Sequence, residues 1–121
     1  MILADSNIWC DFFRQGDPDL ENLLGKDRIL IHRLIIGELA MGNLPERTQT
    51  LRDLCQLTQI QEASWDEAFT LLEHHNLYGR GIQWNDLLIL TSVLLRPDVE
   101  FWTRDIRLRT IAAEFGCALF Q

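Results

Sequence analysis

The chain has 121 residues, of which 47% are hydrophobic and 24% are charged. This size and composition are typical of one globular domain covering residues 1–121, and they exclude an intrinsically disordered chain. No apolar run is long enough to cross a bilayer and the N-terminus has no signal-peptide pattern, so we expect a cytoplasmic protein. The formal net charge of −7 disfavours broad, non-specific binding of nucleic acid, because phosphate groups attract basic side chains.

Short apolar runs alternate with helical patterns along the chain, as is typical of α/β proteins with a mostly parallel sheet. The predicted strands lie at 2–4, 29–31, 99–102 and 117–120. The predicted helices run from just after Asp5 to about 13, then over 18–25, 34–41, 45–58, 64–77, 84–95 and 106–115. This alternation predicts a three-layer α/β/α sandwich with helices on both faces of the sheet.

Two of the predicted helices carry distinctive signals. Ser64 is followed three residues later by Glu67, which is the pattern of a capping box at a helix start. The stretch 84–95 is apolar on nearly every side, so we expect it to be the central buried helix.

The three cysteines give no sign of a disulfide or zinc site. Their number is odd and no two are close in sequence. We therefore expect Cys10, Cys55 and Cys117 to be small buried residues.

Four acidic residues occupy positions at which α/β proteins often bind ligands. Asp5 follows the first strand, Asp105 follows the strand at 99–102, Glu38 lies about two turns beyond the strand at 29–31, and Asp86 opens the apolar helix. The carboxyl ends of parallel strands gather at one edge of a sheet, so these side chains are expected to converge.

Each of these residues also has a simpler interpretation. Asp5 and Asp105 are placed to cap helices, and Glu38 is placed as a solvated helix residue. Asp86 is harder to explain in that way, because a carboxylate beside an apolar helix needs a counter-charge, hydrogen bonds or a metal ion.

Four converging carboxylates repel one another unless a divalent cation or protons neutralise them. The ligands offered are oxygens alone, with no histidine or cysteine nearby in sequence, so Mg²⁺ or Mn²⁺ is favoured over zinc. Such ions lower the pKa of a bound water and offset charge on a phosphodiester. The pattern therefore indicates nuclease chemistry.

Four segments of the chain together resemble the PIN-domain toxins of the VapC type, which are endoribonucleases. They are ILADSNIW at 2–9, GEL at 37–39, GRGIQWNDLLILTSVLL at 79–95 and WTRDIRL at 102–108. Each segment alone is a weak signal, but the four in this order cover essentially the whole chain and are specific.

The resemblance implies a site in which Asp5, Glu38, Asp86 and Asp105 hold Mg²⁺ or Mn²⁺ and activate a water against an RNA phosphodiester. Asp5 and Asp86 are expected to be the main metal ligands, and Ser6 is expected to support Asp5. The resemblance further implies a homodimer, and a VapB-type antitoxin whose basic segment covers the active site. An acidic chain suits such a partner.

Four arginines lie near the expected site edge, namely Arg14, Arg80, Arg104 and Arg107. Each is expected either to contact RNA phosphates or to form ordinary surface ion pairs, and the sequence leaves these alternatives open.

Other acidic-site proteins fit the sequence poorly. A response-regulator receiver domain needs a second acidic residue after the first strand and a lysine after a late strand, whereas Ser6 follows Asp5 and Lys26 is the sole lysine. A haloacid-dehalogenase-type phosphatase needs Asp-x-Asp, and Asn7 stands at the third position. The remaining alternative is a catalytically inactive module of the same fold that binds RNA or a protein partner.

Overall fold

The computed structural model describes residues 1–121 and contains a four-stranded, fully parallel sheet. Its strand order is β3-β2-β1-β4. The strands are β1 (Ile2–Ala4), β2 (Ile29–Ile31), β3 (Thr58–Gln59) and β4 (Glu100–Trp102). The central strands β1 and β2 are entirely apolar and buried, as expected for a parallel sheet covered on both faces.

Seven helices surround the sheet and complete the predicted three-layer α/β/α architecture. They are α1 (Ser6–Gln15), α2 (Pro18–Gly25), α3 (Arg33–Ala40), α4 (Arg47–Gln56), α5 (Trp65–His74), α6 (Trp84–Leu94) and α7 (Ile106–Glu114).

The capping box predicted at the start of α5 is confirmed. The Glu67 backbone N–H donates to Ser64 Oγ at 3.0 Å, and the Ser64 backbone N–H donates to Glu67 Oε1 at 2.8 Å. Two backbone N–H groups at the helix start that lack helical partners are thereby satisfied.

The helix α6 is the most buried helix of the fold, as its composition predicts. Six of its residues are buried, including Leu90, which is fully enclosed in the same hydrophobic core as Phe101 of the sheet. Its buried hydroxyl groups are satisfied within the helix, since Thr91 Oγ1 donates to the Leu87 carbonyl at 2.6 Å.

Two predictions about the sheet are corrected. Thr58 does not end a helix but begins β3, a two-residue edge strand paired with β2. Both β3 residues are polar and exposed, so no apolar pattern marked them as a strand. The segment 117–120 is not a strand, because it adds a single parallel bridge from Leu119 to Phe101 of β4.

The end of α5 is also corrected, since the helix stops at His74 rather than near 77. Asn76 then adopts a left-handed conformation with φ of 51°, which turns the chain away from the helix axis. Leu77 is apolar and buried, so the apolar pattern of the sequence extends beyond the last residue of the helix.

The prediction that the cysteines are buried is wrong. Cys10 and Cys55 are exposed, and Cys117 is partly buried. In α1 the core-facing positions are taken by Ile8 and Trp9, which leaves Cys10 on the solvent side.

No helix in the structure is long and apolar enough to cross a membrane.

Candidate active site

Three of the four predicted acidic residues lie on turns or helices that follow strands β1, β2 and β4, and the fourth, Asp86, lies at the start of α6. Asp5 and Asp105 are the N-caps of α1 and α7, which follow the neighbouring strands β1 and β4. Asp86 lies in the first turn of α6, and Glu38 lies on α3, the helix that follows β2.

Asp5 is the most enclosed of the four, with 4% of its surface exposed. Its Oδ1 accepts the Ser6 backbone N–H at 2.8 Å, and its Oδ2 accepts the Thr103 hydroxyl at 2.7 Å. Burial raises the pKa of Asp5 above its ordinary value; the bonds from Thr103 and Ser6 oppose this rise, and the charges of Asp86 and Asp105 add to it. The carboxyl group is thus held in one orientation while its negative charge is penalised.

A hydrogen-bonded bridge joins the turn after β1 to the turn after β4. Asn7 Nδ2 donates to Thr103 Oγ1 at 3.1 Å, and the Arg104 backbone N–H donates to Asn7 Oδ1 at 3.1 Å. Thr103 Oγ1 also accepts the Asp105 backbone N–H at 3.2 Å. Asn7 and Thr103 therefore fix the relative placement of Asp5 and Asp105.

Sequence reasoning did not single out Asn7 or Thr103. The available signal was their position, because each polar side chain stands two residues from a predicted site carboxylate. A residue that orients a carboxylate is recognisable only once its partner on the other strand is known.

Asp86 and Asp105 act as helix caps through one oxygen each. The Gln83 backbone N–H donates to Asp86 Oδ2 at 3.0 Å. Asp105 Oδ1 accepts the backbone N–H groups of Arg107 and Leu108 at 3.0 and 3.2 Å. The second carboxylate oxygen of each accepts no hydrogen bond from the protein, so capping leaves it available to a ligand.

The pKa values of Asp86 and Glu38 show that the carboxylates act on one another. Burial raises the pKa of Asp86, the Gln83 N–H opposes the rise, and the charge of Asp105 adds to it. Burial also raises the pKa of Glu38, with further increases from Asp5 and Asp86. The nearby Ser6 side chain opposes the increase in the pKa of Glu38.

No arginine, lysine or histidine compensates these four charges. The six ion pairs of the chain involve other acidic residues, namely Asp11, Asp17, Glu62, Asp98 and Glu114. The unbalanced negative charge and the set of oxygen donors fit a hard divalent cation.

The side chains are not arranged as a ready-made metal cage. No group of three or more histidine, cysteine, aspartate or glutamate side chains is positioned to hold an ion. Binding of a cation therefore requires some of these carboxylates to move closer together. The free oxygens of Asp86 and Asp105 permit such movement.

The chain was compared with known proteins by sequence. It matches no family model. It is 40% identical over 121 residues to Ribonuclease VapC32 of Mycobacterium tuberculosis, in strain H37Rv and equally in strain CDC 1551, and the similarity covers 100% of this chain and 98% of each relative.

Comparison with solved structures supports the fold. The crystal structure of PAE2754 from Pyrobaculum aerophilum superposes with a TM-score of 0.52, covering 95% of this chain and 94% of that protein at 12% sequence identity. At this identity the likeness concerns architecture alone. Full-length similarity to Ribonuclease VapC32, together with this architecture, shows that the chain belongs to the VapC family of PIN-domain ribonucleases.

Proposed function

We propose that this protein is an endoribonuclease that depends on Mg²⁺ or Mn²⁺ and acts as the toxin of a toxin–antitoxin pair. The observation that carries the proposal is the 40% identity, over the whole chain, to a protein named as a ribonuclease. The uncompensated cluster of four carboxylates supports it independently, because phosphodiester hydrolysis at such sites commonly uses divalent cations.

The four carboxylates are two main ligands and two additional ligands in this proposal. Asp5 and Asp86 are the main ligands, because Asp5 is buried with a fixed orientation and Asp86 keeps one oxygen free. Glu38 and Asp105 complete the site. A divalent cation held by these groups supplies charge neutralisation at the phosphodiester and a lowered pKa for the attacking water.

The neighbouring residues prepare the site without contacting the substrate. Thr103 and the Ser6 backbone hold both oxygens of Asp5, and Asn7 links the two turns from which Asp5 and Asp105 project. This network keeps the ligands in place against their mutual repulsion, as hydrogen bonds to metal ligands generally do.

The proposed antitoxin is a VapB-type protein with a basic segment that lies over the carboxylates. The net charge of −7 and the lack of basic partners for the four site residues support this assignment. Complementary charge accelerates association and sets the register of the complex.

We also propose that the protein forms a homodimer. An exposed aromatic group on α5 and α6 supports this, since the Trp65 and Trp84 rings lie 4.4 Å apart and those of Phe69 and Trp84 lie 6.2 Å apart. Large exposed aromatic residues in contact with one another are typical of protein interfaces.

The proposed activity is tested by incubating purified protein with total cellular RNA in Mg²⁺, in Mn²⁺ and in EDTA. We expect cleavage with either metal and none in EDTA. The Asp86→Asn variant should not cleave, whereas Asp27→Asn should cleave like the parent. Asp27 is a matched control, because it is exposed, has no side-chain hydrogen bond and has a φ of 56°, which asparagine tolerates.

Thermal denaturation gives a second readout that is independent of activity. The raised pKa of Asp86 means that its charge costs stability at neutral pH, so Asp86→Asn should be at least as stable as the parent in EDTA. Mn²⁺ at about 100 times its Kd should stabilise the parent by roughly 2.7 kcal/mol and the variant much less. Equal stabilisation of both proteins by Mn²⁺ would show that Asp86 is not a metal ligand.

Metal binding without RNA cleavage would favour the alternative function, a catalytically inactive module that binds RNA or a protein partner.

A further inference from the structure

An acidic ribonuclease site needs positive charge nearby to hold the RNA backbone. The sequence singled out four arginines near the expected site, and the structure separates them by their partners. Three are already neutralised by acidic side chains. Arg14 pairs with Asp11 at 2.5 Å and Arg80 with Glu114 at 2.5 Å. Arg104 pairs with Asp11 and Asp17 at 2.7 and 3.4 Å.

Arg107 is the exception among the four. Its guanidinium forms no ion pair within 4.0 Å and no hydrogen bond, and the residue is exposed in the first turn of α7. Its backbone N–H donates to Asp105 Oδ1 at 3.0 Å, so the side chain starts directly beside a site carboxylate. A free guanidinium in this position has its full charge and all its donors available to a phosphate.

The Arg107 side chain packs against the loop that leads to Asp86. A β-carbon added to Gly81 would lie 2.5 Å from Arg107 Nη1 and 2.7 Å from its Cδ, and Gly81 has a φ of +89°. Only glycine therefore allows this close approach without displacing the arginine. Gly81 lies two residues before Gln83, whose backbone N–H holds Asp86. The Arg80–Glu114 pair ties the same loop to α7.

We propose that Arg107 binds an RNA phosphate next to the one cleaved, and that Gly81 positions it for this contact. The inference rests on the proposed ribonuclease function and extends it to the substrate. Arg107 then supplies positive charge between the turn that carries Asp86 and the turn that carries Asp105. The nearby Arg109 also forms no ion pair, but its guanidinium donates to the Thr103 carbonyl at 3.3 Å.

Binding of a fluorescein-labelled single-stranded RNA of random sequence tests the proposal, using Asp86→Asn as the background to prevent cleavage. We expect Arg107→Ala to weaken binding by about tenfold at low salt. The dependence of log affinity on log salt concentration should become shallower by roughly 0.7, as expected for loss of one phosphate contact on a single strand. Arg107→Lys should retain the salt dependence, because it keeps the charge. Gly81→Ala should weaken binding by displacing the arginine.

Arg28→Ala is the matched control. Arg28 is also exposed and free of ion pairs, but it precedes β2 and so lies at the opposite edge of the sheet. The Arg28→Ala variant should bind RNA like the background protein.

Mn²⁺ affinity is measured in the protein that retains Asp86, and it should not change with Arg107→Ala. This measurement separates loss of phosphate binding from damage to the carboxylate site. Unchanged RNA affinity and salt dependence in Arg107→Ala would overturn the inference alone. A background protein that binds no RNA, with a parent that cleaves none, would overturn the proposed function as well.

Discussion

Among single residues, Asp5 and Thr103 show how the fold maintains an unfavourable charge. Asp5 is almost fully buried and its pKa is raised by burial, yet both its oxygens accept hydrogen bonds. These bonds orient the carboxylate more than they neutralise it. A buried charge kept in this way is costly to the folded protein and is therefore a strong indicator of a functional site.

Replacement of Thr103 should weaken the site without removing a ligand. Thr103→Val is close in shape to the parent residue but loses the hydroxyl that donates to Asp5 and accepts from Asn7 and Asp105. We expect Mn²⁺ affinity and RNA cleavage to fall by about ten- to hundredfold, as for other groups that orient metal ligands. Isothermal titration with Mn²⁺ measures the first effect directly.

Thr103→Ser restores the hydroxyl and should recover most of the affinity. Thr110→Val is a suitable control, because that exposed hydroxyl bonds only to the Ile106 carbonyl of its own helix. Equal Mn²⁺ affinities for the parent and Thr103→Val would show that the Thr103 bond does not orient a ligand.

Among elements, a buried polar junction connects the start of α3 to α6 and to the segment before α5. The Leu34 backbone N–H donates to His32 Nδ1 at 3.0 Å, so the other ring nitrogen carries the hydrogen and donates to Ser92 Oγ at 3.2 Å. Ser92 Oγ accepts the Ala63 backbone N–H at 2.9 Å and donates to the Leu88 carbonyl at 2.8 Å. Three elements are joined by one histidine that must remain neutral.

This junction should make stability depend on pH. Burial lowers the pKa of His32 below 6.5, with Arg33 lowering it further and Glu62 opposing the change. A lowered pKa contributes stability that is present above the unfolded value of about 6.5 and is lost as the pH falls through the folded value. We expect acidification from about pH 7.5 to about pH 5 to destabilise the parent more than His32→Asn, which keeps a capping acceptor but cannot titrate.

Urea denaturation at both pH values measures this difference. The comparison with His32→Asn is needed because the raised pKa values of Asp5, Glu38 and Asp86 act in the opposite direction in both proteins. His74→Asn is the control, since His74 is exposed and forms no side-chain hydrogen bond. If His32→Asn loses as much stability on acidification as the parent, the junction does not titrate in this range.

At the scale of the whole molecule, the exposed aromatic group on α5 and α6 has no partner within the chain. Trp65 is 61% exposed and Phe69 is 45% exposed, although each contacts Trp84. Aromatic side chains of this size contribute much of the binding energy at protein interfaces.

If the proposed homodimer forms through this surface, Trp65→Ser should weaken it, and we expect its dissociation constant to rise by at least about tenfold. Light scattering coupled to size-exclusion chromatography over a range of concentrations measures the change. Met41→Ser is the matched control, because Met41 is 89% exposed and isolated from the aromatic group. A parent that is monomeric at all concentrations would refute the dimer, and an unchanged Kd for Trp65→Ser would exclude this surface.

The sequence by itself determined most of the architecture and the identity of the candidate ligands. Apolar runs and helical periodicity are local signals, and they located three of the four strands and all seven helices to within a few residues. The polar edge strand β3 was not predicted, because its pairing with β2, and not its composition, makes it a strand. The four acidic residues were found because each lies in a short recognisable segment, and the order of the four segments along the chain is characteristic of the family.

Tertiary structure alone decided how those residues are supported and which arginine is free. Thr103 is 98 positions from Asp5, and Gly81 approaches Arg107 from a different loop. Arg14, Arg80, Arg104 and Arg107 were equivalent in sequence, but partners brought by the fold neutralise three of them. Hydrogen bonds and ion pairs act over a few ångströms in space, so they depend on which distant segments the sheet brings together.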